Sequence, residues 1–317
     1  MTDLSLERPV LVTGATGFLG HHLCQRLLSV GAEVHALRRD VASSDASDDG
    51  GVVWHTADLT DPGSVRDALI RSAPSVVFHL AARGTTFGDA DLEKCFEVNV
   101  RGSLNLWQAI TNRECRLIVA GSCGEYGQLR GAVSEDAACQ PTGPYSATKH
   151  AAVCLLGALA RESGREVVIL RPYGPYGPGD RSNRIVPHVI RRLIAGKDVE
   201  VTAGEQLRDY TFIEDQMDAF VLAATKPLAA TGRIYNIGSG QCISLKELVA
   251  AIARTVSEDA LARVHFGARP YRETEVWEMC ANVDRARHEL GYEPRTSLSE
   301  GLRRTVDWHR TAEEQSG

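Results

Sequence analysis

No stretch of the 317-residue chain approaches the roughly 20 consecutive apolar residues that a membrane-spanning helix needs. The opening MTDLSLERPVLVTG carries acidic groups and only a short apolar run, and so lacks the basic start and long apolar segment of a secretory signal. An excess of basic charge is missing too. A net charge of −6 provides no field for a polyphosphate backbone, so nucleic acid is not an expected partner. The eight cysteines, Cys242 and Cys280 among them, contain no CxxC pair and read as reduced thiols, several of them small buried hydrophobes. The histidines, including His21, His22 and His79, show no metal-ligand spacing, and His79 reads as a satisfied core residue. The expectation is a cytoplasmic protein without a membrane segment or a metal.

What is present is alternation. Short apolar runs fall at Pro9–Thr13, Glu33–Leu37, Val52–Thr56, Ser75–Leu80, Arg116–Ala120 and Glu166–Leu170. Helical patterns fit between them, at Phe18–Val30, Ser64–Ser72, Leu92–Ile110 and Tyr145–Glu162. Such βαβα order predicts an α/β fold, a doubly wound parallel sheet with helices on both faces. VVFHLAA and RLIVAGS are nearly all apolar, as strands buried on both sides should be. After Arg171 the texture changes. PYGPYGPGD is a loop leaving a strand, and beyond it helices are expected near Ile185–Ala195, Asp215–Ala224, Leu245–Thr255 and Leu298–His309. Residues 1–171 therefore read as one domain, with later segments returning to it, and 172–317 mainly as a smaller lobe. The polar stretch 41–51 reads as a surface loop.

The first strand runs into TGATGFLG, which places Gly14, Gly17 and Gly20 between a strand and a helix. Glycines there permit a sharp turn and a close approach of backbone N–H groups to a pyrophosphate, with the positive helix end behind them. The spacing is GxxGxxG, and its position at the start of a βαβ unit points to dinucleotide binding. The second strand ends EVHALRRD, so Arg38 and Arg39 stand where an acidic residue would accept the ribose hydroxyls of NAD. Two guanidiniums suit the 2′-phosphate of NADP instead, although a solvated basic pair is the alternative. NADP(H) is favoured and NAD(H) remains open. Asp58 could receive the adenine amino group or cap the helix starting near Asp61.

Tyr145 and Lys149 stand four apart in PYSATKH, on one helix face. An ammonium beside a phenol should lower the phenol pKa towards the range useful for proton transfer at a carbinol oxygen. Ser122, at the end of the LIVAGS strand, is placed to hydrogen-bond the same oxygen.

TGATGFLG, FHLAA, NVRGS, GSCGEYG, YSATK and LRDYTFIED together resemble the extended short-chain dehydrogenases that epimerise, dehydrate or reduce nucleotide sugars. GSCGEYG and the segment RPYRETEVWEMCANVDRARHELGYEP are most similar to the GDP-6-deoxy-mannose 4-reductases. The resemblance implies a Rossmann domain for the cofactor and a smaller C-terminal α/β lobe for a nucleotide-diphosphate sugar. It implies Ser122, Tyr145 and Lys149 as the catalytic trio, with Phe18, Leu19, Asp58, Leu59, Ala81, Ala82 and Asn99 against the cofactor. Arg208 and Arg269 would grip the diphosphate. It also implies a homodimer built on the helix around Leu92–Ile110 and the helix carrying Tyr145, with Leu104, Leu106 and Trp107 at the interface. The reaction so implied is NADPH-dependent reduction of a 4-keto-6-deoxy sugar, with 4-epimerisation as the alternative and an idle dinucleotide sensor as a third reading.

Three departures qualify the resemblance. Cys123 and Gly124 replace the Asp–Glu pair of the dehydratases, so elimination of water would need Glu125 as a substitute. Gly174 stands where the family often carries a substrate-contacting asparagine. Arginine replaces the acidic residue with which many 4-epimerases retain NAD. Cys123, one residue after the serine, reads as a packed thiol.

Overall fold

The computed structural model describes residues 6–39, 50–84, 91–180 and 183–314. Its centre is a seven-stranded parallel sheet in the order 233–237, 167–172, 116–120, 76–79, 9–13, 33–38, 53–56. Strands Pro9–Thr13 and Arg116–Ala120 have the bounds expected from their apolar runs, and the others differ by one or two residues. Side chains alternate across the sheet. Val10 and Val12 pack with Leu23 and Leu27 of the Phe18–Ser29 helix, whereas Leu11 joins Leu69, Leu106 and Leu156 on the opposite face. Burial on both faces is what makes these strands continuously apolar. The strand order reverses between Pro9–Thr13 and Val76–His79, and in a doubly wound sheet a crevice opens at such a switch point.

The polypeptide after Pro172 builds most of a second layer. A four-stranded sheet runs in the order 242–244, 207–209, 278–281, 132–133. Helices Ile185–Ile194, Leu245–Val256 and Leu298–Glu314 accompany it. The strand Arg233–Ile237 returns to the edge of the main sheet beside Val167–Pro172. Among the described residues, no helix is long and apolar enough to cross a membrane.

Three expectations need correction. The segment 92–110 is an α-helix at Leu92–Phe96, a π-helical turn at Glu97–Arg101 and an α-helix at Gly102–Ala109. Leu106 and Trp107 belong to the core, and the apolar groups exposed on this segment are Leu92 and Phe96, at 60% and 45%. Cys242 and Cys280 are joined in a disulfide with their Cα atoms 5.6 Å apart. The two strands that carry them flank Leu207–Asp209 in one sheet, a proximity hidden by 38 residues of separation.

Candidate active site

The chain turns sharply where the first strand meets the first helix. Gly14 adopts φ +73°, and a Cβ on it would stand 2.6 Å from the backbone nitrogen of Ala81. At Gly20 a Cβ would lie 2.1 Å from the Gly14 carbonyl oxygen, so helix and turn touch backbone to backbone. Gly17 is the N-cap of the Phe18–Ser29 helix, which has no acidic residue in its first turn. The positive helix end therefore faces the crevice uncompensated.

The crevice is a cavity of about 560 Å³. Gly14, Gly17, Phe18, Leu19 and Gly20 line it, as do Arg38, Arg39, Asp58, Leu59, Ala81 and Ala82. Ser122, Tyr145 and Lys149 share the same cavity. Arg38 lies over the Trp54 ring at 5.5 Å, and its buried Nε has no hydrogen-bond partner among the described residues. A donor left over in this way at a cavity wall fits an anionic ligand. Asp40 and residues 41–49 lie outside the described residues. Asp61, not Asp58, caps the following helix through Gly63, while Asp58 accepts from the backbone and hydroxyl of Thr60.

Asn99 stands behind the cavity wall. Its amide accepts from the Arg83 backbone nitrogen at 2.8 Å and donates to the Arg83 carbonyl and to Thr148 Oγ1. The π-helical turn carries this side chain, which joins the 81–84 segment to the helix Gly143–Ser163. A second buried chain of hydrogen bonds runs from Thr13 to His79 to Ser103 to the Asn99 carbonyl. Burial holds the His79 pKa down at about 3, so its ring is neutral.

The catalytic candidates sit in a buried setting that alters the expected tuning. Burial pushes the Tyr145 phenol up to about 12, opposed by a hydrogen bond with Ser122. The net shift is upwards, contrary to the lowering expected from a neighbouring ammonium, because desolvation penalises the phenolate more than the local donors stabilise it. Lys149 is brought down to about 8, again by burial. Ser122 Oγ accepts from Gly124 N at 3.1 Å, which leaves its own proton to donate.

Glu125 was legible only as a possible acid for dehydration, and its surroundings remove that role. It is fully buried, does not line the cavity, and accepts from Ser122 N at 2.7 Å, Arg171 at 2.8 Å and His150 at 3.2 Å. These donors hold the Glu125 carboxyl below the usual carboxylate range despite burial. The Arg171 guanidinium also lies 4.4 Å from the Tyr126 ring centroid. Ser122-x-x-Glu125 is a capping box, the sequence signal that could have placed Glu125 under the serine.

Arg208 donates to Glu275 at 2.8 Å, on the strand beside Met279, while Arg269 lies apart from the cavity with a 61% exposed side chain near Glu200. Asn183, Arg184 and Met279 line the cavity and were not singled out from the sequence. Cys123 packs with its Sγ 3.1 Å from Met279 Sδ, its thiol raised to about 11 by burial. Gly174 has φ +36°, and a Cβ there would stand 2.1 Å from the Asp209 carbonyl, which leaves no room for an asparagine.

The comparisons with known proteins agree with this geometry. Residues 10–238 match the model of the NAD dependent epimerase/dehydratase family. UDP-glucose 4-epimerase of Mycolicibacterium smegmatis is 31% identical, over 95% of this chain and 98% of that protein. dTDP-glucose 4,6-dehydratase of Streptomyces griseus is 29% identical over 95% and 93%. Among solved structures, the Thermus thermophilus UDP-glucose 4-epimerase complex with NAD superimposes with a TM-score of 0.84 at 29% identity, covering 96% and 99% of the two chains. With a family model spanning most of its length and a full-length relative above 30% identity, the chain belongs to the NAD dependent epimerase/dehydratase family of nucleotide-sugar enzymes.

Proposed function

We propose that this enzyme reduces the 4-keto group of a nucleotide-linked 4-keto-6-deoxy sugar with NADPH. The observation that carries the cofactor preference is Arg38, a cavity-lining guanidinium with a buried Nε that lacks a partner among the described residues. Arg39 stands next to it and also lines the cavity. A 2′-phosphate dianion would supply the missing acceptor. When bound, the nicotinamide supplies the hydride.

The protein side of the reaction follows from the site. Ser122 donates a hydrogen bond to the sugar carbonyl oxygen and polarises it, keeping its own proton. Tyr145, protonated at neutral pH because burial raises its pKa to about 12, delivers the proton to that oxygen. Lys149 contributes positive charge close to the reacting centre while the pH is below about 8. Asn99 positions the 81–84 wall rather than touching a ligand, since its amide hydrogens are committed to Arg83 and Thr148. Arg184 lines the cavity and contributes charge for the diphosphate there, whereas Arg208 is paired with Glu275 outside the cavity lining. The absence of an Asp–Glu pair at Cys123 and Gly124, together with the commitment of Glu125, argues against dehydration.

A second reading is 4-epimerisation, favoured by the full-length similarity to UDP-glucose 4-epimerases. It would use the same three side chains without net consumption of cofactor. The exposed Leu92 and Phe96 support a homodimer in either case. Replacing Arg38 and Arg39 together by alanine should raise the Kd for NADPH at least about tenfold, or about 1.4 kcal/mol, with NADH nearly unchanged. Equal losses for the two cofactors would refute the 2′-phosphate assignment. Conversion of a nucleotide sugar without any change in nicotinamide absorbance would select epimerisation.

A further inference from the structure

The Glu125 carboxylate lies behind the cavity wall, against the helix that carries Tyr145 and Lys149. His150, the residue after Lys149 on the Gly143–Ser163 helix, meets Glu125 Oε2 at 3.2 Å, while Glu125 Oε1 accepts from Ser122 N at 2.7 Å. The strand end is shaped around this group. A Cβ at Gly121 would stand 2.6 Å from Glu125 Oε1 and 3.1 Å from Arg171 Cγ, so the glycine makes room for both side chains. Lys149 is 2% exposed and forms no ion pair among the described residues. An ammonium removed from water in this way needs a negative charge within reach.

We propose that Glu125 is a positioning residue of the active site: from behind the wall, its carboxylate is the countercharge that keeps Lys149 an ammonium. Its part in the reaction rests on Lys149 being the cation beside the reacting oxygen, as read above. Two effects compete at Lys149. Burial favours the neutral amine and the Glu125 charge opposes it, so the group titrates at about 8. Without the carboxylate the proton would leave at lower pH, and positive charge would be lost from the reacting centre at neutrality. The same charge adds to burial in raising the Tyr145 phenol, so both groups keep the protons that a reduction requires.

No other described group takes its place. Arg171 is paired with the carboxylate itself, and Cys139 and Cys154 beside it are thiols that burial raises. Cys123, Tyr126 and Tyr145 are likewise raised by burial and stay protonated at neutral pH. His79, next to Lys149, is neutral. At the cavity Arg83 and Arg184 are cations, and Asp180 is paired with Arg184 at 3.4 Å.

A carbon-13 NMR titration of the lysine side chains in the full-length protein tests this. The chain has five lysines, so the Lys149 signal is assigned by its absence from Lys149→Met. In the parent it should titrate near pH 8. Glu125→Gln keeps an acceptor for Ser122 N but removes the charge, so the midpoint should fall by at least about half a pH unit, with the other lysine signals unmoved. The basic limb of kcat/KM should move down with it, while the rate at about pH 6, where the amine is charged in both proteins, stays within about threefold of the parent. A midpoint that falls while the limb stays would keep the countercharge and refute Lys149 as the cation of the reaction. Where Glu125→Gln does not fold, the double variant Glu125→Gln, Arg171→Met leaves neither charge of the pair alone and should show the same fall. A Lys149 midpoint that falls by less than about half a unit overturns the proposal.

Discussion

Glu125→Gln is the substitution whose cost can be worked most directly from the structure. The side chain keeps its size and its acceptor for Ser122 N, but its charge is lost and an amide N–H₂ is presented to Arg171, itself a donor. Arg171 is almost fully buried, and its Nε and Nη1 already lack partners among the described residues, so the weak acceptor Cys139 Sγ, 3.3 Å from Nη2, is all that remains to the guanidinium. Removing one member of a buried ion pair typically costs about 3–5 kcal/mol. With an unfolding entropy of about 2.1 cal/mol/K per residue, a chain of 317 residues loses about 4.5–7.5 °C of Tm for that cost. Thermal unfolding followed by circular dichroism measures this at pH 7. The effect fades with acid. The Glu125 carboxyl is held low in the folded state, so its contribution is present above the ordinary carboxylate pKa and is lost as pH falls through the depressed folded value. The difference between parent and variant should therefore shrink below about pH 4.5. A second substitution, Arg171→Met, should cost less in the Glu125→Gln background than alone, by a coupling energy within about 0.5–3 kcal/mol. A Tm within about 1 °C of the parent at neutral pH would refute the reasoning.

Two further outcomes are expected. The pH profile of kcat/KM should carry a basic limb near pH 8, where the buried Lys149 ammonium loses its proton, and Lys149→Met should remove the limb while weakening cofactor binding. A profile flat from about pH 7 to 9 would contradict this assignment. Phe96, exposed on the helix Leu92–Phe96, should lie in the homodimer contact, so Phe96→Glu should shift sedimentation from dimer to monomer without lowering Tm. A parent that sediments as a monomer at micromolar concentration would dispose of the interface.

Local chemistry made much of the fold legible. Apolar runs such as Val10–Thr13 and Leu117–Ala120 sit at the centre of the sheet, where burial on both faces demands such residues. The turn at Gly14 could be read because backbone meets backbone there, a requirement that only glycine meets. What escaped was set by distant pairing. The Cys242–Cys280 bond depends on two strands being drawn to either side of Leu207–Asp209. The Glu125–Arg171–His150 group draws on three elements, and its capping-box signal lay within the GSCGEYG segment. Leu106 and Trp107 read as interface residues from the sequence, but both pack into the core from the helix Gly102–Ala109, with Leu104 partly buried against them. Desolvation, which no spacing reveals, raised the Tyr145 phenol where the Tyr145–Lys149 spacing implied lowering.

The most direct test of the central claim is the single-turnover rate of Tyr145→Phe on a 4-keto nucleotide sugar with NADPH. The substitution removes one oxygen and leaves the ring to pack as before. Positioned proton transfer contributes about 10²–10⁴-fold, so the chemical step should fall by at least about 10² with cofactor affinity little changed. Retention of more than about a tenth of the parent rate when chemistry is limiting would show that Tyr145 is not the acid.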